Sequence, residues 1–382
     1  MMTKEQYIES LRKLNLKVYF MGELISNPVD HPMIRPSMNS VAMTYELAEK
    51  DEYKTLMTAK SNLTGKTVNR FCHLHQSTED LINKVKMQRL VGQKTGACFQ
   101  RCVGMDAFNA IYSTTYEIDQ AHGTEYHKRF TEYLKYVQDN DLTVDGAMTD
   151  PKGDRGLSPS QQEDPDLYLR IKEVRPDGII VRGAKAHQTG AVNSHEHLIM
   201  PTVAMKESDK DYAVSFAIPS DAEGVLMIYG RQSCDTRKME KDADLDLGNS
   251  QFGGHEALVI FDDVFVPNER IFMCKEYEFA GAFTVQGGIA AGEYFCRLPE
   301  MPTAVACAND MIAIGVMQYL QRIGKRVPED VSVVGMPNIS IPPSPPSATT
   351  VRNLPIKRWI SYSVVSTAPM KANRANVFAT DA

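Results

Sequence analysis

No proline lies between Pro36 and Pro151, and within that stretch apolar residues recur at helical spacing. Beyond Asp145 the pattern changes to short apolar runs punctuated by turn signals. One switch of period in one chain dictates segregated helices and strands rather than an alternating α/β order. The periodicity predicts helices over Gln6–Leu14, Met43–Lys50, Thr78–Leu90, Cys98–Ala121 and Tyr126–Asp139. It predicts strands over Tyr168–Arg175 and Ile179–Ala186, closed into a hairpin by Pro176-Asp177-Gly178. Further strands are expected at Leu198–Met205, Tyr212–Pro219, Val225–Gly230 and Ala257–Val266, packed as an open barrel or sandwich.

A second break falls near Gly281. None of the nine histidines follows His255, whereas half of the 20 prolines lie after residue 281. That tail carries nine Lys or Arg against six Asp or Glu, a balance of +3, which leaves −9 on the first 281 residues. Ala304–Ala308, Asp310–Ile323 and Val331–Gly335 read as strand, helix and strand, one βαβ unit, with Gly324 at the helix C-cap. Lys371–Ala382 is polar and weakly patterned, expected to fray.

At 382 residues the chain is long enough for two or three cores. A net charge of −6 gives no general attraction to nucleic acid. No run of about 18 apolar residues is present to span a bilayer, and the polar start lacks a signal-peptide core. Seven cysteines, an odd number in a large chain, argue against a secreted disulfide framework and for a reducing, cytoplasmic compartment. Cys72, Cys234, Cys274, Cys296 and Cys307 read as buried or incidental thiols.

Cys98 and Cys102 are different. If helical, their four-residue spacing puts both sulfurs on one face, one turn apart, as half of a metal site or as two small residues on a buried stripe. Met148–Arg155 offers a hydroxyl, free backbone N–H groups, Lys152 and Arg155, a set able to hold a phosphate or a flavin edge, or to form a solvated turn. Ala184-Lys-Ala-His-Gln-Thr-Gly-Ala191 ends a strand. His195 and His197 flank Glu196 and invite a zinc reading, yet no third ligand lies near in sequence. Glu256 opens a strand after Gly253-Gly254-His255, where it can serve as a general base or as an exposed edge carboxylate.

Longer strings remove the ambiguity. Asp30-His-Pro-Met-Ile-Arg35, Lys84-Val-Lys-Met-Gln-Arg89, Ala97-Cys-Phe-Gln-Arg-Cys-Val-Gly-Met-Asp-Ala-Phe-Asn109 and Thr149-Asp-Pro-Lys-Gly-Asp-Arg155 form one continuous resemblance. It extends through Ala184–Gly190, Tyr229-Gly-Arg-Gln-Ser-Cys-Asp-Thr-Arg237 and Phe261-Asp-Asp-Val-Phe-Val-Pro267. Residues 1–281 resemble the 4-hydroxybutyryl-CoA dehydratases, relatives of the flavin-dependent 4-hydroxyphenylacetate 3-hydroxylases on the acyl-CoA dehydrogenase fold. The resemblance implies an α+β chain with a helical domain over 1–144 and a central β domain over 145–281. It also implies FAD and a [4Fe-4S] cluster, and the dehydration of 4-hydroxybutyryl-CoA to crotonyl-CoA with vinylacetyl-CoA isomerisation. The substrate's β-hydrogen is far from acidic, so the family pairs flavin electron transfer with an iron acting as Lewis acid on the leaving hydroxyl. By the same resemblance Cys98 and Cys102 match two cluster ligands. Met148, Thr149, Asp150, Lys152 and Arg155, with His187, Gln188 and Thr189, match flavin-contacting loops, and Glu256 matches an active-site glutamate. An acyl-CoA substrate and a homo-oligomer follow from the family, with no nucleic-acid or membrane partner.

After Gly281 the family's C-terminal helical domain, with its histidine and third cysteine ligands, is replaced. Residues 282–356 instead resemble the end of the sugar-binding domain of Lac-type repressors. The resemblance runs through Pro302-Thr-Ala-Val-Ala-Cys-Ala-Asn-Asp-Met-Ile-Ala-Ile-Gly315, Arg326-Val-Pro-Glu-Asp-Val-Ser-Val-Val-Gly335 and Thr349-Thr-Val-Arg352. An irregular tail is expected over 357–382. Both parents are cut mid-domain, which a chimaeric join explains better than an evolved fusion, and the expectation for the chain alone is loss of the dehydratase activity. The rival readings are a 4-hydroxyphenylacetate-type flavin monooxygenase, which needs no cysteine pair, and a ligand-binding regulator, which needs a DNA-binding segment.

Overall fold

Side-chain caps open two helices of the first 140 residues, and left-handed residues end three. The Thr3 hydroxyl accepts from the Gln6 N–H while the Gln6 side chain accepts from the Thr3 N–H, opening α1 (Lys4–Arg12). The computed structural model describes residues 1–230, 251–280, 285–297, 301–307 and 310–335. After α1 come the three-residue strands β1 (Val18–Phe20) and β2 (Glu23–Ile25). Helix α2 (Arg35–Glu49) begins eight residues before its expected start, because Pro36 fits a helix's first turn. α3 (Asp51–Met57) and the small hairpin β3 (Thr58–Lys60) and β4 (Thr67–Asn69) follow. Ser77 caps α4 (Thr78–Thr95), which ends on the left-handed Gly96. α5 (Cys102–His122) ends on the left-handed Gly123 and α6 (Tyr126–Asn140) on the left-handed Asp141.

The strands form two sheets. Six strands pair in the order β2-β1-β10-β11-β7-β6, with β6 (Arg170–Arg175), β7 (Gly178–Thr189), β10 (Val225–Tyr229) and β11 (Glu256–Pro267). Four pair as β12-β9-β8-β5, with β5 (Val144–Ala147), β8 (Glu196–Ile199), β9 (Val214–Pro219) and β12 (Ile271–Cys274). The expected hairpin is present, with Arg175 opposite Gly178. The strand expected over 198–205 stops at Ile199, and a 3₁₀ segment over Glu207–Tyr212 precedes β9.

Val181, Met227, Val259 and Phe261 of the larger sheet share one buried cluster with Ile199, Phe216, Ile218 and Ile271 of the smaller. The two sheets therefore face one another as a sandwich. A second cluster joins Phe108, Ile111, Phe130 and Leu134 of α5 and α6 to Val144, Leu198, Ala217 and Phe272. Covered on both faces, β5 and β8 are buried at every residue. Layers of helix, small sheet and large sheet result.

The chain divides into two compact units, Met1–Gly281 and Ala282–Ala382. In the second, β13 (Ala304–Cys307) and β14 (Ser332–Gly335) are parallel and joined through α8 (Asp310–Arg322), the expected βαβ unit. Lys325 and Gly324 donate to the Leu320 and Gln321 carbonyls, the double closure that a left-handed glycine permits. An unanticipated helix, α7 (Val285–Arg297), contributes Ala291, Phe295 and Cys296 to the core of this unit. Cys234 and the segments 231–237, 349–352 and 357–382 lie outside the described residues. Among those described, no helix is long and apolar enough to cross a membrane.

Candidate functional site

The Cys98–Cys102 segment is not the continuous helix that the spacing predicts. α4 ends at Gly96 and α5 begins only at Cys102, so Cys98 sits in the strap between them. Gln100 turns that strap with a left-handed backbone (φ 61°). Its amide donates to the Ser37 and Gly253 carbonyls at 3.1 and 2.9 Å and accepts from Asn193 at 2.8 Å. A Cβ on Gly190 would stand 2.8 Å from the Gln100 carbonyl, and one on Gly254 would stand 3.3 Å from the Cys98 Cβ. Tertiary contacts, not helical spacing, set the thiols side by side.

The neighbouring Cys102 thiol lowers Cys98 from its ordinary range, against partial burial and the Glu256 charge, while Cys98 and burial raise Cys102. The first thiolate forms easily and resists the second, an arrangement that a thiophilic cation relieves. By contrast, burial pushes Cys72 up to about 12 and Cys274 and Cys307 up to about 11, so these thiols are inert.

Pairing of β7 with β11 places Thr189 opposite Glu256. His187, in a left-handed kink at φ 55°, brings Nδ1 to 2.8 Å from Glu256 Oε2, and both side chains are open to solvent. Gly254 touches Cys98 and Glu256 follows two residues later, so strap and strand ends form one surface. The loop after β5 joins them, because the Thr149 carbonyl accepts from the Ala186 N–H at 2.8 Å and from Gln188 Nε2 at 3.0 Å.

Not every loop residue faces outward. Asp150 turns in to Lys185 (2.7 Å) and Thr202 (3.1 Å), and the Gln188 side chain is buried. Thr149, Lys152 and Arg155 are exposed, and Thr189 is half-buried; among the described residues these four side chains have no hydrogen-bond or ionic partner. The hydroxyl and two cations free on the pinned loop, with the Thr189 hydroxyl at the end of β7, suit the polar edge and phosphates of a flavin nucleotide. The Gln162 amide shapes the turn, accepting from the Asp154 N–H and donating to the Asp154 and Leu157 carbonyls. A Cβ on Gly153 would collide with it at 2.2 Å. Neither Gln162 nor the inward Lys185 carries a local sequence signal; both act through contacts made on folding.

The zinc reading fails. His195 Nδ1 accepts from the Thr143 N–H at 3.0 Å and Nε2 lies 2.8 Å from Ser10 Oγ, while burial lowers its pKa to about 4. His197 is wholly buried with Nδ1 2.7 Å from Asp145. Among the described residues no three His, Cys, Asp or Glu side chains are grouped to hold a metal ion, so Cys98 and Cys102 stand as a pair. Two open clefts, of about 330 and 350 Å³, lie along α6 and the Asn268–Ile271 segment and include none of these residues.

Known proteins resemble this chain. The family model for the 4-hydroxyphenylacetate 3-hydroxylase N terminal region matches residues 3–273, and one for a periplasmic binding protein-like domain matches residues 266–357. Over 281 residues the chain is 76% identical to the 4-hydroxybutyryl-CoA dehydratase/vinylacetyl-CoA-Δ-isomerase of Clostridium aminobutyricum, covering 74% of this chain and 57% of that protein. An oxygen-tolerant archaeal 4-hydroxybutyryl-CoA dehydratase from N. maritimus superposes with a TM-score of 0.71 at 52% identity, covering 83% of this chain and 60% of the other. The oxygenase component of 4-hydroxyphenylacetate 3-monooxygenase, in complex with FAD, gives 0.60 at 27% identity, covering 74% and 57%. The chain thus spans less than two thirds of the length of each.

Proposed function

From its match over residues 3–273 the chain belongs to the 4-hydroxyphenylacetate 3-hydroxylase family, and on that premise we propose that residues 1–281 are the flavin- and substrate-contacting part of a 4-hydroxybutyryl-CoA dehydratase. The observation that carries the reading is the convergence of the Cys98–Cys102 pair, Glu256–His187 and the Thr149–Arg155 loop on one surface, in a region 76% identical to such an enzyme. The monooxygenase relatives are more distant, at 27% identity, and their chemistry has no use for paired thiols. The reaction is then the conversion of 4-hydroxybutyryl-CoA to crotonyl-CoA, with vinylacetyl-CoA isomerisation as a second activity, in a reducing cytoplasm that keeps the thiols free.

FAD fits the loop. When bound it would supply the electron acceptance that makes an unactivated C–H acidic. Thr149 and Thr189 would hydrogen-bond its ring edge, and Lys152 and Arg155 would balance negative charge. Glu256 is the proton acceptor at the substrate carbon, with His187 Nδ1 holding Oε2 and leaving Oε1 to receive the proton. A [4Fe-4S] cluster would supply a Lewis acid for the leaving hydroxyl, and Cys98 and Cys102 suit two of its four ligand positions. Among the described residues no third ligand stands beside them. The boundary at residue 144 between helical and β regions, and the origin of 282–356 in a Lac-type sugar-binding domain, belong to the same proposal.

Fluorescence titration with FAD tests the loop assignment. The pair Arg155→Ala and Thr189→Ala is expected to weaken binding about tenfold or more, the loss of two polar contacts at about 0.5–1.5 kcal/mol each or somewhat more for the charged one. Equal affinity for parent and variant would remove the assignment. Anaerobic reconstitution with iron and sulfide is expected to leave fewer than four irons per chain. Four irons, lost in Cys98→Ala, would show that residues outside those described complete the ligand set.

A further inference from the structure

Lys185 is almost fully buried in β7, with 3% of its surface exposed, an uncommon place for an ammonium group. Its Nζ makes three contacts, donating to the Met148 carbonyl at 3.0 Å, the Met200 carbonyl at 2.9 Å and Asp150 Oδ1 at 2.7 Å. All three protons of the ammonium are thereby used. Thr202 repeats the grip from the other side, its one hydroxyl proton shared between the Met148 carbonyl and Asp150 Oδ2, both 3.1 Å away. Between these two anchor points, the Thr149 carbonyl is taken by Ala186 and Gln188. Three consecutive residues are thus held from the inner side, and the Thr149 side chain is left on the outside.

We infer that Lys185 is a positioning residue for the cofactor loop: it fixes the inner side of residues 148–150 and so sets the outward presentation of Thr149, Lys152 and Arg155. The inference rests on the flavin reading given above. A loop of this kind without its anchor samples many arrangements and must be ordered each time the cofactor binds, which costs affinity rather than contacts. Lys185 does not touch the ligand surface, so its effect on the flavin runs through Met148 and Asp150. Its charge partner among the described residues, Asp150, lies 35 residues upstream in sequence.

The test uses the full chain and FAD as the probe. Lys185→Met keeps the length of the side chain and removes the ammonium. FAD affinity is expected to fall tenfold or more, and the induced visible circular dichroism of the bound flavin to flatten, because the ring is no longer held in one orientation. Asp150→Asn keeps an acceptor for Lys185 and is expected to give a smaller loss, about threefold. A cooperatively melting Lys185→Met chain with parental affinity and parental dichroism would overturn the inference. If Lys185→Met does not fold, parental behaviour of Asp150→Asn would overturn it instead. The Arg155→Ala and Thr189→Ala pair separates the two ideas. Loss there without loss in Lys185→Met sinks the positioning role alone, and no loss there sinks the flavin reading itself.

Discussion

Arg101→Ala is expected to destabilise the unit of residues 1–281 by about 3–5 kcal/mol, among the largest single-residue effects in this chain. The guanidinium is 2% exposed and lies 4.6 Å from the Tyr45 ring centroid and 4.9 Å from that of Phe71. It donates to Thr44 Oγ1 at 2.9 Å and to the Leu142 carbonyl at 3.4 Å. Truncation leaves a cavity between two rings. It also strips the nearby positive charge from Asp141, whose carboxyl is already raised by burial and held down by Arg101 and the Met2 N–H. Arg101→Met refills the volume and is expected to lose less than the alanine variant. Urea denaturation reads both, and an alanine variant with the parental midpoint would mean that the buried cation contributes nothing net.

A second large effect is expected at Gly104, in the first turn of α5. A Cβ there would stand 2.0 Å from the Val144 carbonyl oxygen and 3.0 Å from its carbon, which are backbone atoms with no rotamer to yield. Gly146 answers from β5, where a Cβ would meet Val103 Cγ1 at 2.6 Å. Helix and strand meet backbone to backbone, so Gly104→Ala is expected to cost about 3 kcal/mol or more and to shift Cys102 with the helix end. Gly92→Ala is the matched control. It sits inside α4 with nothing within 4 Å of its added carbon and is expected to stabilise by about 0.5–1 kcal/mol. Thermal melts of the two variants should move in opposite directions, and a shared direction would refute the close-approach argument.

What the sequence disclosed follows from how local each signal is. α6, the Pro176-Asp177-Gly178 turn and the βαβ unit of the tail are specified by residues within one element, and they stand where periodicity and turn chemistry put them. β1, β2, β5 and β12 were illegible because three or four residues carry no period; partners from elsewhere make them strands. Cys98 was misplaced for the same reason. Spacing alone continues the helix from Cys98, whereas Gly96 and the Gln100 bonds to Ser37, Gly253 and Asn193 interrupt it. Long strings of resemblance name the candidate site's residues, whereas its geometry carries no sequence signal. Asp150 and Gln188 read as flavin contacts, yet their side chains are turned inward to Lys185, Thr202 and the loop's own carbonyl. Only the fold distinguishes a residue that meets a ligand from one that holds the residue that does.

The six-stranded sheet also fixes an order of events during synthesis. β1 is a parallel neighbour of β10, with Val18 opposite Met227 and Tyr19 opposite Ile228. A ribosome adding about 5–20 residues each second therefore releases the first strand roughly 10–40 s before its partner exists. Throughout that interval β1 has only the β2 hairpin, and an isolated two-stranded hairpin is marginal in water. α1 and α2 can dock early, but Val18, buried in the finished sandwich, stays wet until Met227 arrives. The nascent chain thus carries an unpaired apolar edge until β10 is made, and the early segment is where a holding chaperone would have to act.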